Sequence, residues 1–537
     1  MTKYFAALLI FLAAWPSYAA DLNGYTAQYE CRAGGPNCNI DVVALANQAC
    51  QQTINPGDAW STINWSNNVI CIASGDHTSK GTLTITTSGT SGAYKVLRYY
   101  RANDNNDEPW NQSSTAKIRS LVLNANFWII HRLHVSGSGS TGSVGIRDNR
   151  NNLIVNRLLV ENGSLDQIDG SSNTSDIAIQ NSVVRKTGKN IPSDFHGIVT
   201  SAFTTRFYVV NNEIYDVQGD GVQISQSGGN TTDMVIENND VYLTSDYYIG
   251  NNGCAENALD LKQGGQSANP LRIIHNRLWG HRNTDSSCAT GSSGEEIVFH
   301  EASTTTNNYG LIQNNIIFDG TQAIASPNFS PDHWSIIGNI IYSMSGVSGD
   351  TTKAIDLKNG VNHEVYLNTI VDVNKSNSNG WINGGASSND IRCNAIISGG
   401  SGGSGTQDHN VYYNSTDSGE SHKIVKTAST RANLRAYSVG DVVFSASLNN
   451  FLYQAVNNGT SGSSAPTWCT ELGCTISDGS VTWQAFRGPY TFWRKLRTMP
   501  EQYTIPYVKV HASAPEANYC PSNYSSRQGN GISDIQP

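Results

Sequence analysis

Residues 208–215 read YVVNNEIY and residues 234–242 read MVIENNDVY: a short β-branched run, an asparagine, then a second apolar run. The phrase recurs as IVNRLLV (154–160), IAIQNSVV (177–184), RIIHNRLW (272–279), LIQNNIIF (311–318), IIGNIIY (336–342), VYLNTIV (365–371) and IRCNAII (391–397). Its asparagines, Asn156, Asn181, Asn212, Asn239, Asn276, Asn314, Asn339, Asn368 and Asn394, stand 25 to 38 residues apart. A repeat of that length built on strands means a solenoid, because one such unit cannot bury its apolar face alone. An asparagine at the same turn of each coil can bond its neighbours above and below, forming a ladder.

A second strand precedes each phrase: HGIVTS (196–201), DGVQIS (220–225), NALDLK (257–262), EEIVFH (295–300), QAIASP (322–327) and KAIDLK (353–358). Placing their third and fifth residues inward gives a core column of Ile198, Val222, Leu259, Ile297, Ile324 and Ile355. Alternation then sends the second, fourth and sixth residues outward. The chain resembles right-handed parallel β-helix proteins, the fold of many polysaccharide lyases and of polygalacturonases. That resemblance implies an all-β solenoid over roughly 400 residues.

The rest of the sequence sets boundaries. Charged residues are 14% and the formal net charge is −9 across 537 residues, which excludes a coiled coil and argues against nucleic-acid binding. Lys3, an apolar run from Phe5 to Trp15 and Ser17-Tyr18-Ala19-Ala20 read as a signal peptide over 1–20, so a secreted, extracellular or periplasmic monomer with no membrane contact after cleavage is expected. Ten cysteines, an even number, suit an oxidising compartment. Cys31/Cys38, Cys50/Cys71, Cys254/Cys288 and Cys469/Cys474 can pair, leaving Cys393 and Cys520, although spacing does not fix connectivity.

The solenoid with its N-terminal cap is expected over 21–423, a small β module over 424–487, and a segment packing back on the solenoid over 488–537. Gly440-Asp441, Tyr453, Gly459-Thr460-Ser461, Pro466-Thr467-Trp468 and Asp478-Gly479 before Trp483 resemble small chitin-binding-type modules, also found in phage tail fibres. The resemblance implies sugar stacking on Tyr453 and Trp468. Equally, these aromatics can be the core of a domain of this size.

Ionisable groups concentrate on two adjacent coils: Glu256, Asp260 and Lys262, then Glu295, Glu296 and His300, with His196 and Asp220 on the coils before. Neighbouring strands lie about 4.8 Å apart, so Lys262 and His300 should be close, and Asp260 and Glu296 should reach one cation. Cleaving a uronate by β-elimination needs its carboxylate neutralised, its C5 proton removed and the leaving O4 stabilised. ENALDLK is similar to the stretch that carries the catalytic lysine of family 9 pectate lyases. The resemblance implies Lys262 as the base, with a lowered pKa, and Ca2+ held by Asp220, Asp260, Glu295 and Glu296.

His300 reads as a base, an acid or a surface histidine. Arg272, Arg277 and Arg282 either grip a uronate carboxylate, with Arg277 serving the leaving oxygen, or hold the insertion between Cys254 and Cys288. AIDLKNG (354–360) repeats the lysine phrase, so Asp-x-Lys can also be a solvated pattern of the coil. The expected function is a lyase of an acidic polysaccharide. A hydrolase is the competitor, because DFHGIVTS and GDGVQIS resemble polygalacturonase strands, though the paired aspartates and Arg-Ile-Lys motif of that family are missing. A glycan-binding adhesin is the non-enzymatic alternative.

Overall fold

The structure, a computed structural model, describes residues 42–487 with interruptions, chiefly 101–114, 188–194, 225–230, 248–254, 282–293, 301–308, 345–352, 372–381, 400–405, 416–423 and 446–451, and two short pieces at 489–490 and 505–506. Three parallel sheets of 11, 14 and 14 strands run through it, each strand bonded to the equivalent strands one coil before and after. This is a parallel β-helix. We call the 11-stranded sheet, from Thr82–Ile85 to Ile382–Asn383, sheet 1. The chain passes from it to sheet 2, which contains Thr205–Val210, and then to sheet 3, which contains Glu213–Tyr215.

The core follows from the sequence alternation. Ile198 pairs with Val222, Val222 with Leu259, Leu259 with Ile297, Ile297 with Ile324 and Ile324 with Ile355. All six have no exposed surface. Buried parallel strands favour β-branched side chains because both faces are covered and the pleat accepts branching at Cβ. The second residue of each phrase departs from the expected alternation. Gly197, Gly221 and Ala258 come just before their strands and Glu296 and Ala323 lie inside theirs, and all five are buried, Gly197 against Ile214 of sheet 3 and Val217 just after it.

The asparagine ladder is present, but its register differs in places from the repeat phrase. Asn212, Asn239, Asn276, Asn315, Asn339, Asn368, Asn394 and Asn410 form it. From Asn239 on, each Oδ1 accepts the backbone N–H and the Nδ2 of the asparagine one coil earlier, as Asn276 does from Asn239 at 2.9 and 3.0 Å, while Asn212 Oδ1 accepts the Ser182 N–H. Each Nδ2 also donates to a carbonyl, that of Asn276 to Ile236 O at 2.9 Å.

Asn181 and Asn314 belong to a second column one residue earlier. With Asn211, Asn238, His275 and Gly338 they turn the corner from sheet 2 to sheet 3 at φ of 53 to 66°. That left-handed conformation is tolerated by Asn and natural to Gly. Asn156 instead ends the strand Asn151–Asn156.

On the outer side of sheet 3, Tyr215, Tyr242, Trp279, Phe318 and Tyr342 stack ring on ring at 4.1 to 5.3 Å. The last sheet 3 strand is Ile424–Lys426, so the solenoid extends a few residues past 423. A separate five-stranded sheet begins at Ser429–Thr430. Its core holds Tyr437, Val443, Tyr453, Val481 and Trp483. Cys50–Cys71 and Cys469–Cys474 are disulfide-bonded, and the other expected pairings lie outside the described residues.

Candidate active site

The outward face of sheet 1 carries a chain of contacts across five coils. Ile168 stands opposite Ile198, which puts Asp166 and Asp169 on the coil before His196. His196 Nδ1 lies 2.9 Å from Asp166 Oδ1, and its backbone N–H donates to the same oxygen at 2.7 Å. At its other ring nitrogen, Nε2, His196 meets Gln223 Nε2 at 2.6 Å. Gln223 Nε2 also donates to Asp220 Oδ2 at 2.9 Å, and Asn257 Nδ2 donates to Asp220 Oδ1 at 2.9 Å.

Gln223 stands beside Asp260 on the next strand. The Asp260 carboxylate receives Lys262 Nζ on one oxygen, and His300 Nε2 stands 2.9 Å from the other. The His300 contact is a close approach of the ring nitrogen to the carboxylate rather than an aligned hydrogen bond. Burial divides the chain into an inner and an outer part. His196, Asp220, Gln223 and Asp260 are almost fully covered, while the Lys262 side chain is 36% exposed and that of His300 15%.

Electrostatics follow this placement. Burial raises the Asp260 carboxyl, and the charge of Asp220 adds to it, against the opposing pull of His300 and Lys262. Asp220 is also pushed up by burial, but hydrogen bonds from His196, Gln223 and Asn257 outweigh this and hold it below its ordinary value. Burial works to lower Lys262, yet Asp260, Asp220 and Glu256 win and raise it. These neighbours favour the ammonium form of Lys262, the opposite direction to the lowered pKa expected of a lysine base. Asp169 is pushed up to about 6 by burial and by Asp166.

The structure separates other expected members. Arg272 lies in sheet 2 and pairs with Asp233. Arg277 lies in sheet 3 and forks onto Asp240 at 2.8 and 2.7 Å. Three consecutive strands face three directions, so neither arginine shares the Lys262 face. Arg282 and Lys358 lie outside the described residues.

Glu296 is also elsewhere. It fills the corner, accepting the His281 backbone N–H at 3.0 Å and standing 2.9 Å from its ring Nδ1, and the residue beside Asp260 is Val298. Glu295 is buried at the start of its strand. With Asp260 engaged by Lys262 and His300, Asp220 by two amides and Glu296 by His281, these three carboxylates do not fit one shared Ca2+. Among the described residues no group of three His, Cys, Asp or Glu is arranged to hold a metal ion.

In the module, Tyr453 is fully buried and its hydroxyl donates to Cys469 O at 2.7 Å, so it is a core residue rather than a sugar platform. Trp468 is half-buried against it, with ring centroids 4.1 Å apart. Asp166 and Asp169 were missed from the sequence. The alternation that sorted HGIVTS also sorts DQIDGS (166–171), one coil earlier, and places Asp169 outward; Asp166, at the first position as His196 is, is not given by it.

No family model matches the sequence, and no curated protein matches it. Among solved structures, the chain is similar to an alginate lyase from Paenibacillus sp. str. FPU-7, at 14% identity and TM-score 0.35, over 70% of this chain and 100% of that one. It is similar to pectate lyase Pel9A at 13% identity and TM-score 0.31, over 64% and 80% of the two chains. PfbA, a surface adhesin of Streptococcus pneumoniae, aligns at 12% identity and TM-score 0.37, over 73% and 90%.

Proposed function

We propose that this protein is a secreted lyase that cleaves a uronate-containing polysaccharide by β-elimination on the outward face of sheet 1. One observation carries the reading: Lys262 and His300, from adjacent coils, converge on the buried carboxylate of Asp260 while both remain reachable from outside. The two disulfides support an oxidising compartment.

The roles follow from the charges. Lys262, held protonated by the carboxylates around it, neutralises the uronate carboxylate and the negative charge that spreads onto it as C5 loses its proton. His300 takes that proton, and the Asp260 carboxylate beside it stabilises the imidazolium that forms. The C5–H electrons form the C4–C5 double bond and the C4–O4 bond breaks. Where H5 and O4 lie on the same face of the sugar, the imidazolium returns its proton to O4.

Asp220 supports the site from below, its charge raising Asp260 without touching substrate. The pair also favours a second reading. One carboxylate held low beside one pushed high is the pattern of a base and an acid in glycoside hydrolysis. Against it, both are covered, and the oxygens of Asp220 are engaged by amides.

The deciding experiment offers a panel of acidic and neutral glycans. A product absorbing in the ultraviolet is expected. New reducing ends without that absorbance indicate hydrolysis, and retention without cleavage indicates a binder.

A further inference from the structure

Among the described residues five large apolar side chains are exposed, and only Tyr100 and Phe203 of these belong to the solenoid. Phe203 is 52% exposed. It sits in the turn between the sheet 1 strand Ile198–Thr200 and the sheet 2 strand Thr205–Val210, at φ 57°. The two preceding coils place Asn149 at φ 61° and Asn173 at φ 57° at this point. The three stack directly, since the Asn149 N–H donates to Ser172 O and the Asn173 N–H to Ala202 O.

A phenylalanine at this position is doubly unfavourable. The left-handed region penalises a bulky residue without a short polar side chain to compensate, and the ring gains little burial. Local strain kept without a packing return is the kind of outlier that points to function. Its place supplies the function. Ser201 follows its sheet 1 strand as Lys262 follows Leu259–Leu261, two coils further on. Phe203 therefore stands at the same edge of the face, about 10 Å from the Lys262 level along the axis. A pyranose chain lying along the solenoid advances about one sugar per coil.

We infer that Phe203 is a stacking platform for a sugar two residues from the cleaved bond of an acidic glycan. The inference rests on the proposed lyase reading for the position of that bond. The ring offers its face to the C–H face of a pyranose and carries no charge, so it suits a sugar whose carboxylate is directed away.

The test compares wild type with Phe203→Asn, Phe203→Leu and Phe203→Trp by affinity electrophoresis through gels containing alginate or polygalacturonate, and by KM and kcat on whichever panel glycan is cleaved. Phe203→Asn should melt no lower than wild type, since Asn occupies this turn in two other coils. It should nevertheless bind roughly three- to tenfold more weakly, with kcat little changed. Leu should behave like Asn in binding, and Trp should bind like wild type. Asn and Leu variants retained as tightly as an active wild type would overturn the inference and leave the lyase reading standing. Retention that depends on Phe203 in a protein that cleaves nothing would uphold the platform and remove the lyase. A wild type neither retained nor active on any glycan overturns both.

Discussion

At the scale of the residue, the site depends on charges set by burial. Lys262→Ala should reduce turnover at least a hundredfold, because the variant loses the ammonium paired with Asp260, while Tm stays within a few degrees for a side chain this exposed. Steady-state kinetics and thermal melts check both. Activity that survives chelation is expected, because Asp260, Asp220 and Glu296 already meet hydrogen-bonding or cationic partners; loss of activity in chelator, restored by Ca2+, would contradict this placement.

Asp169 gives a pH prediction. Its carboxyl is raised to about 6 in the folded protein, so folding favours its protonated form. That contribution is full below the ordinary carboxylate value near 3.8 and is lost as pH rises through about 6. Asp169→Asn should therefore raise Tm at pH 8 and change it little at pH 4. Asp260 was legible because it alternates with the inward Leu259 and Leu261. Its pairing with a protonated lysine was not, since whether burial or neighbouring charge wins depends on distances no spacing reveals.

At the scale of the element, the two asparagines of each doublet do different work. Asn315 bonds Asn276 and Ile273 in the ladder, whereas Asn314 turns the corner at φ 53° in a column where the coil after it has Gly338. Asn314→Gly should cost no more than about 1 kcal/mol. Asn315→Ala should cost about 2–4 kcal/mol, because it strands the buried Asn276 N–H and the Ile273 carbonyl. Denaturant unfolding of the two variants compares them directly. The phrase LIQNNIIF showed that an asparagine was needed but not which of the two, since either fits a β-branched run that must turn. Only the corner geometry assigns one to φ > 0 and the other to its neighbours' backbone.

At the scale of the whole molecule, the module carries its own core, with Tyr453 and Trp483 fully buried and Arg431 forked onto Asp478. Replacing residues 427–488 with a short linker keeps the sheet 3 strand Ile424–Lys426 and should leave the solenoid folded, shown by an unchanged main melting transition. A cut at 424 removes that strand and should lower it.

The sequence by itself determined the solenoid, its inward column and the face on which ionisable groups gather, because a period repeated along the chain is a local property that each coil states again. Tertiary structure decided the membership of the site. Arg272 and Arg277 are only ten to fifteen residues from Lys262, yet three successive strands face three ways and take both arginines to other sheets. Asp166 and His300 are far apart in sequence, and stacking of coils at one strand spacing joins them through His196, Gln223 and Asp260.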